Sequence, residues 1–314
     1  MKKFFLIVAN IIGILLVLLA IEYLVYTASI EEFRKVINDR PPNKFSYSFK
    51  ETYWPNMNNY FNGENNTTFG RKPDGLEYNS TPITIFGCSY AHGQYLNYNQ
   101  TFSYKLAHSL KRPVYNRSVP AKGFSKMYYQ SENESFYREV PASDLVIYIM
   151  IEDHYRRMKL NYLNVTDNAM KTTYKKVGDK LVKEDFSNPI KYFVNSTYTF
   201  KHLKNKWVDL YINDPQNAEK LTDEALLYFI ETRKNLEKMW NRKIDFVVIF
   251  YNTWQSHQDM LKEKLEKNNF KVIKMQELTN EDLFTEKYFS PQTLHPTEAV
   301  WDLLTPKIIE KLEL

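Results

Sequence analysis

The sequence predicts an α/β fold in which helices wrap a parallel sheet, preceded by one N-terminal transmembrane helix. Three observations lead to this prediction. From about residue 80 onward, short β-branched or aromatic runs alternate with helical segments, as expected for parallel strands buried on both faces. The chain has 314 residues, enough for a sizeable core in one large or two small domains. Its N-terminus carries one long apolar run, and no later run approaches that length.

The apolar run, Phe4–Ile21, follows Lys2 and Lys3. At the rise of an α-helix this run covers roughly 27 Å, close to the hydrocarbon thickness of a bilayer. We therefore expect a membrane anchor within residues 1–30, with a cleaved signal peptide as the alternative. The lysines before the run favour an orientation that leaves the bulk of the chain outside the cytoplasm.

Residues 31–79 are predicted to form a polar stalk or lead-in, because prolines and an Asn-rich stretch mark turns and loops there. The domain proper is predicted over residues 80–314. Its predicted strands are Ile83–Phe86, Val114–Tyr115, Leu145–Ile151, Ile244–Tyr251 and Phe270–Met275. Its predicted helices are Thr101–Lys111, Leu221–Arg242, Ser256–Asn268 and Thr297–Leu312. In such sheets the ligand site lies beyond the carboxyl ends of the strands.

A segment at about 158–220 interrupts this alternation and is predicted to be an insertion. Within it, Thr172–Asp185 has the pattern of a hairpin that turns at Gly178 and Asp179. We expect the insertion to act as a lid or substrate-contacting cap. The alternative is a structural extension that packs on the edge of the sheet.

Composition excludes several classes of protein. Hydrophobic residues are 43% and charged residues 25% of the chain, which excludes a disordered or collagen-like protein. The single cysteine, Cys88, excludes an internal disulfide framework and cysteine-rich zinc modules. The net charge of +5 comes from 42 basic and 37 acidic side chains spread along the chain, so no nucleic-acid partner is expected. No histidine spacing predicts a metal site.

The first candidate for catalysis is Ser89, because the strand Ile83–Phe86 runs directly into Gly87, Cys88 and Ser89. A serine at the sharp exit of a strand is exposed at the carboxyl edge of the sheet, where a nucleophile has to lie. Gly87 allows the tight turn, and the backbone N–H groups after it can stabilise an oxyanion. Taken alone, such a turn is more often structural than catalytic.

Two further segments offer partners for this serine. His295 precedes Pro296 at the predicted start of the last helix, where the backbone can hold the imidazole rigidly. The loop after Val114–Tyr115 leads to Gly123, whose N–H can point at the same site. A capping histidine and an ordinary turn are the alternatives for each segment alone. The three signals together favour a catalytic site.

On these three blocks the sequence resembles the SGNH, or GDSL-type, hydrolase family over roughly residues 80–155 and 285–314. The resemblance implies a flavodoxin-like three-layer α/β/α fold. It also implies ester hydrolysis or acyl transfer without a metal or organic cofactor. It implies that Ser89 is the nucleophile and His295 the base, and that the N–H groups of Ser89 and Gly123 form the oxyanion hole.

The sequence departs from the family pattern at two positions. Gln292 falls where the family has the triad aspartate, so it lacks the charge that stabilises an imidazolium but could accept a hydrogen bond from His295. Glu152 falls where the family has an asparagine that donates to the oxyanion, and an ionised carboxylate would repel that charge. We expect His154 to donate instead, with Asp153 orienting its ring. A solvated strand end, or an acid/base pair of Glu152 and Asp153, are the alternatives.

Cys88 is the alternative nucleophile. Side chains alternate at a strand end, so only one of Cys88 and Ser89 can face the site. A buried free cysteine usually behaves as a small hydrophobic residue. We therefore predict that Cys88 is buried and that Ser89 faces the site.

The sequence as a whole predicts a membrane-anchored serine esterase or O-acyltransferase whose catalytic domain lies outside the cytoplasm, in the periplasm or at the cell surface. The expected partner is an ester-bearing glycan, with O-acetyl groups on a surface or cell-wall polysaccharide, or another small acyl ester. The alternative is a catalytically degenerate protein of the same fold that binds or assembles glycans. Gln292 and Glu152 favour that alternative.

Overall fold

A computed structural model of the chain describes residues 80–120, 122–159, 172–185, 198–251 and 256–314, together with short pieces before residue 80. These pieces are residues 17, 18, 20, 21, 23, 24, 66, 67, 70 and 71. The chain divides into two compact units. The smaller unit comprises Met1–Ser46, Leu160–Thr173 and Lys183–Asn213, and the larger comprises Tyr47–Lys159, Tyr174–Val182 and Asp214–Leu314.

The larger unit is built around a sheet of seven strands. The described strands are β1 (Asn66–Thr67), β2 (Gly70–Arg71), β3 (Ile83–Gly87), β4 (Val114–Asn116), β5 (Leu145–Met150), β6 (Thr172–Val177), β7 (Lys180–Asp185), β8 (Asp245–Phe250), β9 (Lys271–Lys274), β10 (Phe289–Ser290) and β11 (His295–Pro296). The sheet order is β1-β2-β4-β3-β5-β8-β9. Strands β4, β3, β5, β8 and β9 run parallel, while β1 and β2 are antiparallel additions at one edge.

The order of the parallel strands locates a crevice. Numbered along the chain, they lie in the order 2-1-3-4-5, the doubly wound arrangement in which the direction of winding reverses between the first and third strands. That reversal lies between β3 and β5, and ligands bind at the carboxyl ends of the strands there. The predicted parallel sheet is confirmed, and each predicted strand is present with small shifts at its ends.

The described helices are α1 (Ser89–His92), α2 (Phe102–Leu110), α3 (Phe124–Glu132), α4 (Glu134–Glu139), α5 (Asp153–Lys159), α6 (Tyr198–Asn213), α7 (Ala218–Trp240), α8 (Ser256–Lys267) and α9 (Glu298–Leu312). Helices α2, α7, α8 and α9 are the four that the periodicity predicts. The sequence does not reveal α3, because it buries polar residues such as Ser125, Lys126 and Gln130 together with apolar ones and so has no clean apolar stripe.

Helices cover both faces of the sheet. On one face, alternate strand residues such as Ile85, Ile147 and Ile249 form an aliphatic core with Leu106 of α2 and Leu304 of α9. On the other face the core is aromatic, with packed rings from Phe124, Tyr148, Tyr228, Phe229, Phe246 and Phe270. The predicted arrangement of a central parallel sheet flanked by helices is therefore confirmed.

The predicted anchor, residues 1–30, lies almost wholly outside the described residues. Its described positions are helical and exposed: Val17, Leu18, Ala20, Ile21, Tyr23 and Leu24. Within the part of the chain that the structure describes, no helix has the length and apolar character needed to cross a membrane.

Part of the predicted stalk belongs to the sheet. β1 pairs with β2, and Arg71 of β2 pairs with Asn116 of β4. The stalk prediction is therefore corrected at these strands, and the rest of residues 31–79 lies outside the described residues. The predicted hairpin in the insertion is confirmed as β6 and β7, which turn through Gly178 at a φ of 60°.

Candidate active site

Ser89 lies where strand β3 meets the crevice. The strand ends at Gly87, and the short helix α1 begins at Ser89 itself. Gly87 has a φ of 150°, and a Cβ atom there would lie 2.7 Å from Ala91 Cβ and 2.9 Å from the Ile149 carbonyl oxygen. Only glycine permits this approach of α1 to β5. The local sequence thus places Ser89 at the carboxyl edge of the sheet, as predicted.

His295 lies in a small hairpin formed by β10 and β11. Its Nδ1 is 2.5 Å from the backbone carbonyl oxygen of Thr293. Because a carbonyl oxygen can only accept, Nδ1 carries the proton and Nε2 keeps its lone pair. Nε2 is buried and has no hydrogen-bond partner among the described residues. The ring is thus held in the tautomer that a general base requires.

The two elements that carry Ser89 and His295 are in contact. Helix α1 and strand β11 approach with Cα atoms within 8 Å of each other. Tyr90, which follows Ser89, donates a hydrogen bond from its hydroxyl to the Leu294 carbonyl oxygen at 3.0 Å. The rings of Tyr90 and Tyr95 lie 5.2 and 4.9 Å from the His295 ring. The structure therefore places the element that carries the predicted base next to the element that carries the predicted nucleophile.

Electrostatics keep His295 neutral. Burial lowers the pKa of His295 below its ordinary value, and the positive charge of Arg157 lowers it further. The hydrogen bond to Thr293 acts in the opposite direction without reversing the shift. A neutral imidazole near pH 7 is the form that can accept a proton from a serine hydroxyl.

Two backbone donors are free at the same edge of the sheet. The N–H of Ser89 is at the first position of α1, and the N–H of Gly123 is at the N-cap of α3. Neither donates to any described residue. A Cβ atom on Gly123 would lie 3.5 Å from His154 Cδ2 and 3.7 Å from Arg157 Cβ. Gly123 is thus in contact with α5. This helix follows β5, the strand that lies across the crevice from β3.

Gln292 does not orient His295. Its side chain is exposed and makes no hydrogen bond to the described residues. The Thr293 carbonyl oxygen accepts the hydrogen bond from Nδ1–H in its place. The expected role of Gln292 is therefore corrected: a backbone group, which carries a dipole but no full charge, takes the position of the triad acid.

Asp153 does not orient His154 either. Helix α5 begins at Asp153, and the Asp153 carboxylate accepts from Arg157 Nε at 2.6 Å, with Arg156 3.8 Å away. His154 Nδ1 pairs instead with the Tyr148 hydroxyl at 2.9 Å. The polar run after β5 is thus the first turn of a helix, where residues four apart share a face, and not an extended strand end.

Burial shifts the pKa of both His154 and Glu152, the polar residues beside the crevice. His154 is fully buried, and burial followed by the charge of Arg157 holds its pKa well below the ordinary value. Its Nε2 has no partner among the described residues and belongs to the ring that lies against Gly123. Burial and, secondarily, Asp153 raise the pKa of Glu152. This shift weakens the repulsion that an ionised Glu152 would exert on an oxyanion.

Arg157 is the residue at this edge that the sequence does not single out. Its guanidinium donates to Asp153 and to the Lys122 carbonyl oxygen. Arg157 follows Asp153 by four residues, a spacing that places two side chains on one face of a helix. The spacing indicates a contact only when the segment is known to be helical. Cys88 itself is 0% exposed, so the prediction that it is buried is confirmed.

Metal ligands do not gather at this site or elsewhere in the residues that the structure describes, where no three His, Cys, Asp or Glu side chains could hold an ion. The site itself presents a serine hydroxyl, an imidazole base and backbone donors. That set is suited to acyl transfer.

No family model matches the chain, and no curated protein matches it. Solved structures similar to it include GDSL-type lipolytic proteins and carbohydrate esterases. A member of the lipolytic G-D-S-L family from Veillonella parvula is 13% identical, with 74% of this chain and 97% of that chain covered and a TM-score of 0.42. A family two carbohydrate esterase from Clostridium thermocellum, in complex with cellohexaose, is 12% identical, with 77% and 66% covered and a TM-score of 0.37. Both TM-scores are below 0.5, so activity has to be argued from this chain's own residues.

Proposed function

We propose that the chain is a serine esterase or O-acyltransferase that acts on acyl esters, with O-acetyl groups of a surface or cell-wall glycan as its substrate. The observation that carries the proposal is the state of His295. Its Nδ1–H donates a hydrogen bond to the Thr293 carbonyl oxygen, and its Nε2 has no partner among the described residues. The strand that carries it contacts the helix that begins at Ser89. A serine and a preorganised base at one sheet edge support nucleophilic catalysis.

The reaction follows from these groups. Ser89 Oγ attacks the ester carbonyl carbon while His295 Nε2 accepts the hydroxyl proton. The tetrahedral oxyanion accepts hydrogen bonds from the N–H groups of Ser89 and Gly123. The imidazolium then returns the proton to the leaving alcohol, which departs as the acyl–Ser89 ester forms. Water or a second hydroxyl group attacks that ester, with His295 again as base, and regenerates Ser89.

The missing carboxylate bears on the substrate class. A carbonyl dipole stabilises the imidazolium less than an ionised aspartate does, so the site has less transition-state stabilisation than a complete triad. Esters are easier to cleave than amides, and a weakened site remains useful on them. The Tyr90 and Tyr95 rings beside His295 offer faces on which a sugar can pack. These features support an ester on a sugar as substrate.

The test uses the full chain in detergent with 4-nitrophenyl acetate and an O-acetylated oligosaccharide, beside a fluorophosphonate that modifies reactive serines. We expect acetate release from both esters and one covalent adduct, mapped by mass spectrometry to Ser89, because Ser89 is the nucleophile. Ser89→Ala should lose the adduct. No acetate release and no adduct would reject the proposal, and oligosaccharide binding without turnover would favour the degenerate glycan-binding protein.

We also propose that Phe4–Ile21 anchors the chain in a membrane, with the larger unit outside the cytoplasm. The length and apolar character of this run and the lysines before it support the proposal. In membranes prepared from producing cells, the intact chain should stay in the pellet after extraction with alkaline carbonate. Release into the supernatant, or an N-terminus that begins after the run, would refute it.

A further inference from the structure

The Arg157 guanidinium hydrogen-bonds to its own helix and to the loop that leads to Gly123. Its Nε donates to Asp153 on its own helix at 2.6 Å, and its NH1 donates to the Lys122 carbonyl oxygen at 2.9 Å. Lys122 belongs to the loop before α3, so the Arg157 side chain joins this loop to α5.

The loop partner immediately precedes one of the two oxyanion donors, since Lys122 precedes Gly123. A Cβ atom on Gly123 would also lie 3.7 Å from Arg157 Cβ. We propose that Arg157 is a positioning residue that holds the Gly123 N–H group in place and brings a positive charge to the oxyanion. This inference rests on the proposed function. A guanidinium is suited to the role, because its planar fork fixes the directions of several hydrogen bonds at once.

The charge of Arg157 is directed into the site. The Asp153 side chain is 37% exposed and the Arg157 side chain is 18% exposed. Solvent therefore screens the carboxylate more than the guanidinium, and the buried end of the pair is positive. Burial alone would lower the pKa of Arg157, but Cys88 and Asp153 outweigh burial and raise it, so the residue stays charged.

The positive charge of Arg157 also acts on His295, the base, and on the residues near it. After burial, which is the larger cause, it acts to lower the pKa of His295 and of His154. Among the described residues, the titratable groups around His295 include Tyr90 and Tyr95, which contact its ring, and Arg157. A charge that disfavours an imidazolium favours an oxyanion at the same place, which the site needs because Glu152 provides no amide donor.

The chain offers a matched control in the adjacent arginine. Arg156 is on the same helix, is 40% exposed, and lies 3.8 Å from the same Asp153 carboxylate. Arg157→Gln should lower kcat for 4-nitrophenyl acetate by about 10²- to 10³-fold, the size expected for a lost oxyanion interaction. Arg156→Gln should stay within about twofold of the parent, because exposed ion pairs contribute little. Equal rates in the two variants would overturn the inference.

A third variant separates charge from geometry. Arg157→Lys keeps the charge but has no fork, so it should fold, keep the His295 pKa of the parent, and still lose most of the kcat that Arg157→Gln loses. It also serves where Arg157→Gln fails to fold, as judged by circular dichroism. Full activity in Arg157→Lys would contradict the positioning role.

A titration separates this inference from the proposed function. The His295 ring signal, assigned by its loss in His295→Asn, is followed by NMR against pH in the parent, Arg156→Gln and Arg157→Gln. The His295 pKa should rise in Arg157→Gln alone, since a nearby positive charge has been removed. This shift is independent of turnover. An inactive parent would reject the esterase, and an unshifted pKa would reject the role of Arg157.

Discussion

Replacement of His295 by alanine is expected to lower kcat for an acetyl ester by about 10³- to 10⁴-fold while KM changes little, because general-base catalysis is lost and ester binding is not. The base is already in its working tautomer: Nδ1 donates to the Thr293 carbonyl oxygen, and Nε2 is without a partner among the described residues. Initial rates over a range of ester concentrations measure both constants.

The control for this prediction is Gln292→Ala. The Gln292 side chain is exposed and makes no hydrogen bond to the described residues, so its removal should leave kcat within about twofold, as for surface substitutions in general. A loss comparable with that of His295→Ala would mean that Gln292 orients the ring during the reaction. The assignment of that role to Thr293 would then be wrong.

The pH profile of kcat/KM gives the same prediction a second measurement. Burial and then Arg157 lower the pKa of His295 below 6.5, with the Thr293 hydrogen bond opposing them. The imidazole therefore remains a base as the pH falls through 6.5, and activity should decline only at lower pH, where His295 becomes protonated. A profile whose acidic limb lies above pH 6.5 would be inconsistent with His295 as the base.

The catalytic residues that could be predicted from the sequence are those marked by local backbone patterns. Ser89 follows a buried strand and a glycine, and His295 precedes a proline and a helix. Gly123 ends a loop at a helix start. Each pattern is short and contiguous, so the chain shows it without knowledge of the fold. The strand order, by contrast, comes from pairings between distant segments, and it determines which of these loops meet.

The partners of these residues could not be predicted in the same way. A backbone carbonyl such as that of Thr293 has no residue type to mark it, so the sequence suggested the side chain of Gln292 instead. Arg157 is not marked by the sequence, because neighbouring side chains point apart in a strand end, which is one of the alternatives for the run after β5. Its helical conformation places Asp153 and Arg157 on one face. Whether this turn is helical or extended therefore determines whether the Arg157 side chain faces the site.

The largest effect is expected from Ser89→Ala, which removes the nucleophile and should lower kcat by at least about 10³-fold, leaving only what binding and the oxyanion donors provide. Cys88→Ser is the informative control. Cys88 is fully buried, and a serine at this position keeps a small side chain that can also accept a hydrogen bond. Its loss of activity should therefore stay below about tenfold, a small fraction of the effect of removing the nucleophile.

Ser89→Ala and Cys88→Ser together also distinguish a serine nucleophile from a cysteine nucleophile. If Cys88 were the nucleophile, Cys88→Ser would lose most activity and Ser89→Ala would retain it. The structure argues against that outcome because the Cys88 side chain is 0% exposed, while α1 begins at Ser89 next to the strand of His295. Both residual rates are measured with one ester in the same detergent. The two side chains lie in a single turn, and each variant leaves the rest of the site unchanged. The ratio of the two rates therefore assigns the nucleophile directly.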